Sequence, residues 1–220
     1  MRKTVFSTAV LAVAALGLTA SQASASLIIT GVFDGPLSGG IPKAVELYAT
    51  SNIADLSLYG IGSANNGGGT DGEELTLAGS ASAGDFIYIA SENNGPGGGG
   101  FEDYFGFAPD FSGAAANING DDAIELFFSG SVIDVLGDIN VDGSGQPWDH
   151  LDGWAYRNDS TGPDGTTFAL GNWSFSGINN NDGETSNATA ANPFPIGTYV
   201  PEPASLALLG LGGLAMLRRS

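Results

Sequence analysis

Cysteine is absent from this chain of 220 residues, histidine occurs once, and only six basic side chains face 24 acidic ones. Each scarcity excludes something. Without cysteine there is no disulfide scaffold and no cysteine-ligated zinc or iron–sulfur site. A single histidine, His150, removes histidine-rich metal chemistry and leaves one base for any nucleophilic triad. No serine sits in a G-x-S-x-G elbow, so His150, beside Asp149 and Asp152, reads as an exposed loop histidine. Carboxylates are so abundant that closeness between two of them says nothing about glycosidase chemistry. The chain reads as a non-enzyme.

The shortage of cations sharpens once they are located. Arg2, Lys3, Arg218 and Arg219 lie at the ends, and between Ser26 and Val200 only Lys43 and Arg157 remain against 23 acids, a net charge of −21. Nucleic-acid affinity rests on Lys and Arg displacing counterions from phosphates, so nucleic acid is not an expected partner. Cations, neutral sugars and basic proteins are compatible with such a body. At 42% hydrophobic and 10% aromatic residues the chain is nevertheless too apolar for simple disorder, and one folded domain over residues 26–200 is expected.

The two ends read as addresses. Met1-Arg2-Lys3, the apolar run Val5–Leu18 and Ala23-Ser24-Ala25 form the basic, apolar and small-residue parts of a secretory signal peptide spanning residues 1–25. Signal peptidase is expected to cut between Ala25 and Ser26. At the other end, Pro201-Glu202-Pro203 precedes fourteen apolar residues, Ala204–Leu217, and the pair Arg218-Arg219. At ~1.5 Å per residue that run spans about 21 Å as a helix, short for a ~30 Å hydrocarbon core. The arginines would hold the end of this short transmembrane helix on the cytoplasmic side, and the prolines keep the motif extended outside it.

Residues 201–220 in this order resemble the PEP-CTERM sorting signal of Gram-negative bacteria. The resemblance implies transient insertion in the inner membrane, processing near the motif by an exosortase, and delivery to the cell surface or extracellular polymer. Pro201, Glu202, Pro203, Arg218 and Arg219 are the residues that carry it.

Between the addresses, short β-branched and aromatic runs alternate with Gly, Asn and Asp. Ser26–Phe33, Ala44–Tyr48, Leu56–Ile61, Phe86–Ala90, Ala123–Phe128 and Val132–Leu136 read as strands, with Ser129-Gly130 as a hairpin turn. No stretch from Leu27 to Tyr199 sustains a 3.6-residue apolar period for a dozen residues. An all-β antiparallel sandwich or barrel follows. The glycine-rich segments 65–69 and 93–100 lack the lysine and helix of a phosphate-binding loop and read as flexible surface connections. Phe101, Tyr104, Phe105, Phe107 and Phe111 read as an aromatic cover over one end of the core, with a helical turn at Phe101–Phe105, or alternatively as a sugar platform.

A second resemblance joins these runs. Leu27–Val32, Lys43–Tyr48 and Ile53–Ile61, then Asn119–Leu126, Val132–Gly137, Asp152–Arg157 and Asn172-Trp173-Ser174, are similar in order and character to a bacterial lamin-tail domain. That resemblance implies an immunoglobulin-like β-sandwich. Such domains accompany secreted nucleases and phosphoesterases, or stand alone as binding or tethering modules. The expectation is a secreted surface protein with a non-catalytic binding or structural role, extracellular polysaccharide being one partner. The alternative is an accessory or catalytic component acting on extracellular nucleic acid or phosphoesters.

Three residues carry the one metal expectation. Asp138, Asn140 and Asp142, followed by Gly143, repeat the D-x-N-x-D-G opening of a calcium loop, with Asp149 at the twelfth position. The same residues also favour a plain acidic β-turn. Lys43 and Arg157, lone cations in an anionic body, are expected to pair with neighbouring carboxylates.

Overall fold

The computed structural model describes residues 25–202. Ala23 and the rest of the expected signal peptide before Ala25, with Pro203, Arg218, Arg219 and the apolar run of the expected transmembrane helix, lie outside the described residues. Among the described residues no helix is long and apolar enough to cross a membrane.

Short runs rich in β-branched and aromatic residues build most of the ten strands among the described residues: β1 (Leu27–Leu37), β2 (Ile41–Ala49), β3 (Tyr59–Ala64), β4 (Leu75–Thr76), β5 (Phe86–Ala90), β6 (Phe111–Ser112), β7 (Ala123–Phe128), β8 (Ser131–Leu136), β9 (Trp154–Arg157) and β10 (Trp173–Phe175). They form a six-stranded sheet in the order β10-β9-β1-β2-β5-β6 and a four-stranded sheet in the order β4-β3-β7-β8. The inner faces meet over one core. Leu27, Ile29, Val45, Leu47, Ile87, Ile89, Ala155 and Trp173 come from the larger sheet, and Tyr59, Ile61, Ile124, Leu126 and Leu136 from the smaller. The molecule is therefore mostly β, two sheets packed face to face with little helix.

Most expected strands form where the residues placed them, with informative exceptions. Leu56–Leu58 is a 3-10 turn and not strand, because the Asp55 carboxylate accepts the Ser57 N–H at 2.9 Å and caps it. The sandwich is not wholly antiparallel: β6 runs parallel to β5, the chain between them crossing over through the short helix α1 (Phe101–Phe105). Ser129 and Gly130 both adopt positive φ, 49° and 77°, as a two-residue hairpin between β7 and β8 requires. Neither glycine-rich segment is a free connection. In 65–69, Asn66 donates its N–H to Asp122 at 2.8 Å, and in 93–100 the amides of Gly97 and Gly99 donate to Asp103 at 2.7 and 2.6 Å.

The outer face of the six-stranded sheet is also covered. Ile28, Phe33, Ala44, Ala90, Trp154 and Tyr156 point away from the first core into a second apolar cluster, closed by Phe101 and Tyr104 of α1 and by Phe194 and Tyr199. Phe101, Tyr104 and Phe105 of the expected aromatic cover thus lie on the outer face of a sheet and not over one end of the core, while Phe107 stays exposed beside Tyr88 and Phe101 and Phe111 packs against the first core. Phe33 contacts Tyr104, Phe105 and Phe194 at centroid distances of 5.2, 5.2 and 5.6 Å. Gly31 makes this possible: a Cβ there would lie 2.4 Å from the Phe194 ring, so only glycine lets the ring lie on β1.

Candidate functional site

Both cations of the body are buried in ion pairs. Lys43 Nζ meets Asp34 Oδ1 at 2.8 Å and donates to Asn119 Oδ1 at 2.9 Å and to the Ile118 carbonyl. Arg157 donates through Nη2 to both oxygens of Asp134 at 2.8 Å, through Nη1 to Asp164 at 3.1 Å, and through Nε to the Ile29 carbonyl at 2.5 Å. Its guanidinium carbon lies 4.2 Å from the centre of the Trp173 ring. Lys43 ties β2 to β1 and to residues 118–119, and Arg157 ties β9 to β1, β8 and β10, so both cations are paired as expected, and among the described residues no cation remains on the surface.

His150 is not the exposed loop residue its neighbours suggested. It is fully buried, its backbone N–H donating to the Gly120 carbonyl at 3.0 Å and drawing the loop inward. Its Nδ1 faces the Trp148 carbonyl at 3.0 Å, which only accepts, so Nδ1 carries the proton. Nε2 has no partner, and burial holds the ring below the usual histidine range.

The acidic loop is built as turns. Asp138 accepts the Asn140 N–H and Asp142 the Ser144 N–H, each at 3.0 Å, as side chains that cap their own backbone do. Asp149 at the twelfth position accepts from Gly145 at 2.7 Å and Leu151 at 3.2 Å. A groove of about 270 Å³ beside Asp138 and Asn140 is lined by Val135, Thr166, Thr167 and Phe168. Asp121, with one buried oxygen lacking a partner, is pushed up by burial and by Asp122, Asp142 and Asp149. Among the described residues no group of three or more His, Cys, Asp or Glu side chains is gathered so as to hold a metal ion.

A second buried polar arrangement, this one without a cation, lies under the chain that enters the sorting motif. Glu46 on β2 is buried, with Oε1 accepting from Thr30 Oγ1 at 2.7 Å and Tyr156 Oη at 2.8 Å, and Oε2 accepting from the Gly197 N–H at 2.7 Å. No cation faces it, and burial raises its carboxyl to about 7. Tyr156 Oη in turn accepts the N–H groups of Thr198 and Tyr199, both at 3.0 Å. Glu46 was not singled out in the sequence because strand alternation assigns it to the face opposite Val45 and Leu47, which reads as solvent. The signal was present in the aromatics Tyr48, Phe86 and Tyr88, which share that face.

Of the sorting residues, Pro201 and Glu202 are described. They line a groove of about 640 Å³ with Ile28, Thr50, Ser51 and Val200. Thr50 Oγ1 donates to the Ala25 carbonyl at 2.9 Å and Thr50 N–H to the Ser26 carbonyl at 2.9 Å. Ala25 and Ser26, where signal cleavage is expected, thus leave the sandwich at the same pole as the motif.

The two-sheet β domain leads at Pro201 into the segment for which comparison with known proteins finds a match. Residues 200–220 match the family model described as the PEP-CTERM protein-sorting motif. That motif is the mark of an exosortase-sorted protein exported to the cell surface or extracellular space. No curated protein and no solved structure matches the chain.

Proposed function

We propose that this protein is a secreted, non-catalytic surface module: a signal peptide over residues 1–25, one lamin-tail-like, immunoglobulin-like sandwich over 26–200, and a tail over 201–220 that anchors it briefly in the inner membrane until it is processed. The observation that carries the reading is the sorting motif at residues 200–220. The lamin-tail reading is supported by the runs that suggested it falling on β1, β2, β3, β7, β8, β9 and β10. A surface without cations among the described residues favours neutral or metal-bridged extracellular polysaccharide over nucleic acid as partner.

Deleting Pro201–Ser220 tests the sorting reading: the protein should miss its surface or polymer destination, and unchanged localisation would sink it. A glycan array with residues 26–200, with and without calcium, tests binding. Metal-dependent cleavage of DNA or a phosphodiester by the same fragment would replace this reading with the catalytic alternative. Calcium at Asp138, Asn140 and Asp142 belongs to the proposal as a ligand of the loop. Calorimetry checks it, with heat expected from the fragment and lost in Asp142→Ala; a silent titration removes calcium from the reading.

A further inference from the structure

Residues 194–200 lead directly into the sorting motif, and the sandwich grips them along their length. Phe194 and Tyr199 are buried against the outer face of the larger sheet. The N–H of Gly197 goes to Glu46, and those of Thr198 and Tyr199 go to Tyr156. Tyr199 Oη donates to the Thr161 carbonyl at 2.8 Å. At the last residue before Pro201-Glu202-Pro203, Val200 donates its N–H to Asp159 Oδ1 at 2.9 Å, and its carbonyl accepts the Ser160 N–H at 2.9 Å. Pro201 has no N–H to offer. From residue 197 to residue 201 every backbone donor is therefore either engaged by the body or missing.

A peptidase that binds its substrate as an extended segment forms main-chain hydrogen bonds with that segment, and it needs those donors and acceptors free. We propose that the docking of residues 194–200 is an autoinhibitory contact: the folded sandwich closes the segment upstream of Pro201 to the processing peptidase, and processing waits until this strap lifts from Tyr156 and Asp159. The inference rests on the processing reading above. It makes the rate of tail removal a property of the sandwich as well as of the motif, since only the lifted fraction is a substrate. The strap holds no free spacer before Pro201, so an enzyme at the membrane meets the body of the protein and not a loose tether.

The test is the rate of tail loss in pulse-chase on the full chain in a host that sorts it. Three forms are compared: wild type, a form with about eight Gly and Ser residues inserted between Val200 and Pro201, and the double variant Tyr156→Phe, Asp159→Ala. The insertion leaves residues 194–200 docked, frees Pro201 and Glu202 from their groove and gives the peptidase an open segment upstream of Pro201, so its tail should be lost about fivefold faster or more. The double variant should also be faster, with amide exchange at Thr198, Tyr199 and Val200 reporting that the strap has been loosened. Equal or slower tail loss in the insertion form overturns the autoinhibitory contact. Retention of the tail in all three forms overturns the processing reading itself, and the contact with it.

Discussion

Arg157 was legible as a paired cation because an anionic body leaves a lone guanidinium few other stable environments. Its three-way grip on Asp134, Asp164 and the Ile29 carbonyl was not, since those partners come from distant parts of the chain. Removing one partner of a buried pair leaves an uncompensated charge, so Arg157→Ala should cost about 3–5 kcal/mol. Arg157→Lys should rescue little of it, because one ammonium cannot replace the fork. Thermal melts of the 26–200 fragment check both, and an unchanged melting temperature for Arg157→Ala contradicts the structural role. Glu46 gives the opposite kind of prediction. Its carboxyl titrates near 7 in the folded protein and near 4.5 when unfolded. Between these values the folded state keeps a proton that the unfolded state has lost. The contribution to stability is full below pH 4.5 and is lost as pH rises through 7. Melting temperatures from pH 4.5 to 8 should fall in wild type relative to Glu46→Gln, and parallel curves would show that Glu46 is not responsible.

At the level of elements, strands announced themselves where β-branched and aromatic residues ran for five or six positions between turn residues, as in Phe86–Ala90 and Ala123–Phe128. Short pieces did not: β4 and β6 have two residues each, too few to show a period. The covering layer was half legible. The aromatics around α1 signalled a lid, but Phe194 stands alone in a polar, proline-containing stretch, and its place over Gly31 depends on the register of β1 with β9. Because Phe194 touches Phe33, Phe105 and Tyr156, Phe194→Ala should destabilise the domain by about 3–5 kcal/mol. The same change should expose the outer face to a hydrophobic dye before the inner core unfolds, whereas simultaneous loss of both cores would show that the two layers act as one cooperative unit.

For the molecule as a whole, composition foretold the charge but not its segregation. The two cations are interior and carboxylates alone charge the described surface, so repulsion between them opposes the compact state. Added sodium chloride, from ~10 mM to ~500 mM, should raise the melting temperature by screening that repulsion. A fall with salt would mean that the buried pairs of Lys43 and Arg157 dominate instead. The sandwich class was readable from strand count and turn chemistry, whereas the candidate site beneath residues 194–200 required knowing which face of a sheet is covered.

The meeting at one groove of the two ends of the described body, with Ala25 and Ser26 held by Thr50 and Val200 beside it, makes residues 25–202 nearly a closed loop. A closed loop has no privileged starting point. Joining Ser26 to Val200 with a short linker and opening the chain at the exposed Ser129-Gly130 turn should give a circular permutant with the same fold and a similar melting temperature. The same closure would let the sandwich be inserted whole into a surface loop of another protein, entering and leaving at one point. A permutant that fails to fold would show that the ends are needed as ends, and that their closeness serves the grip on the tail alone.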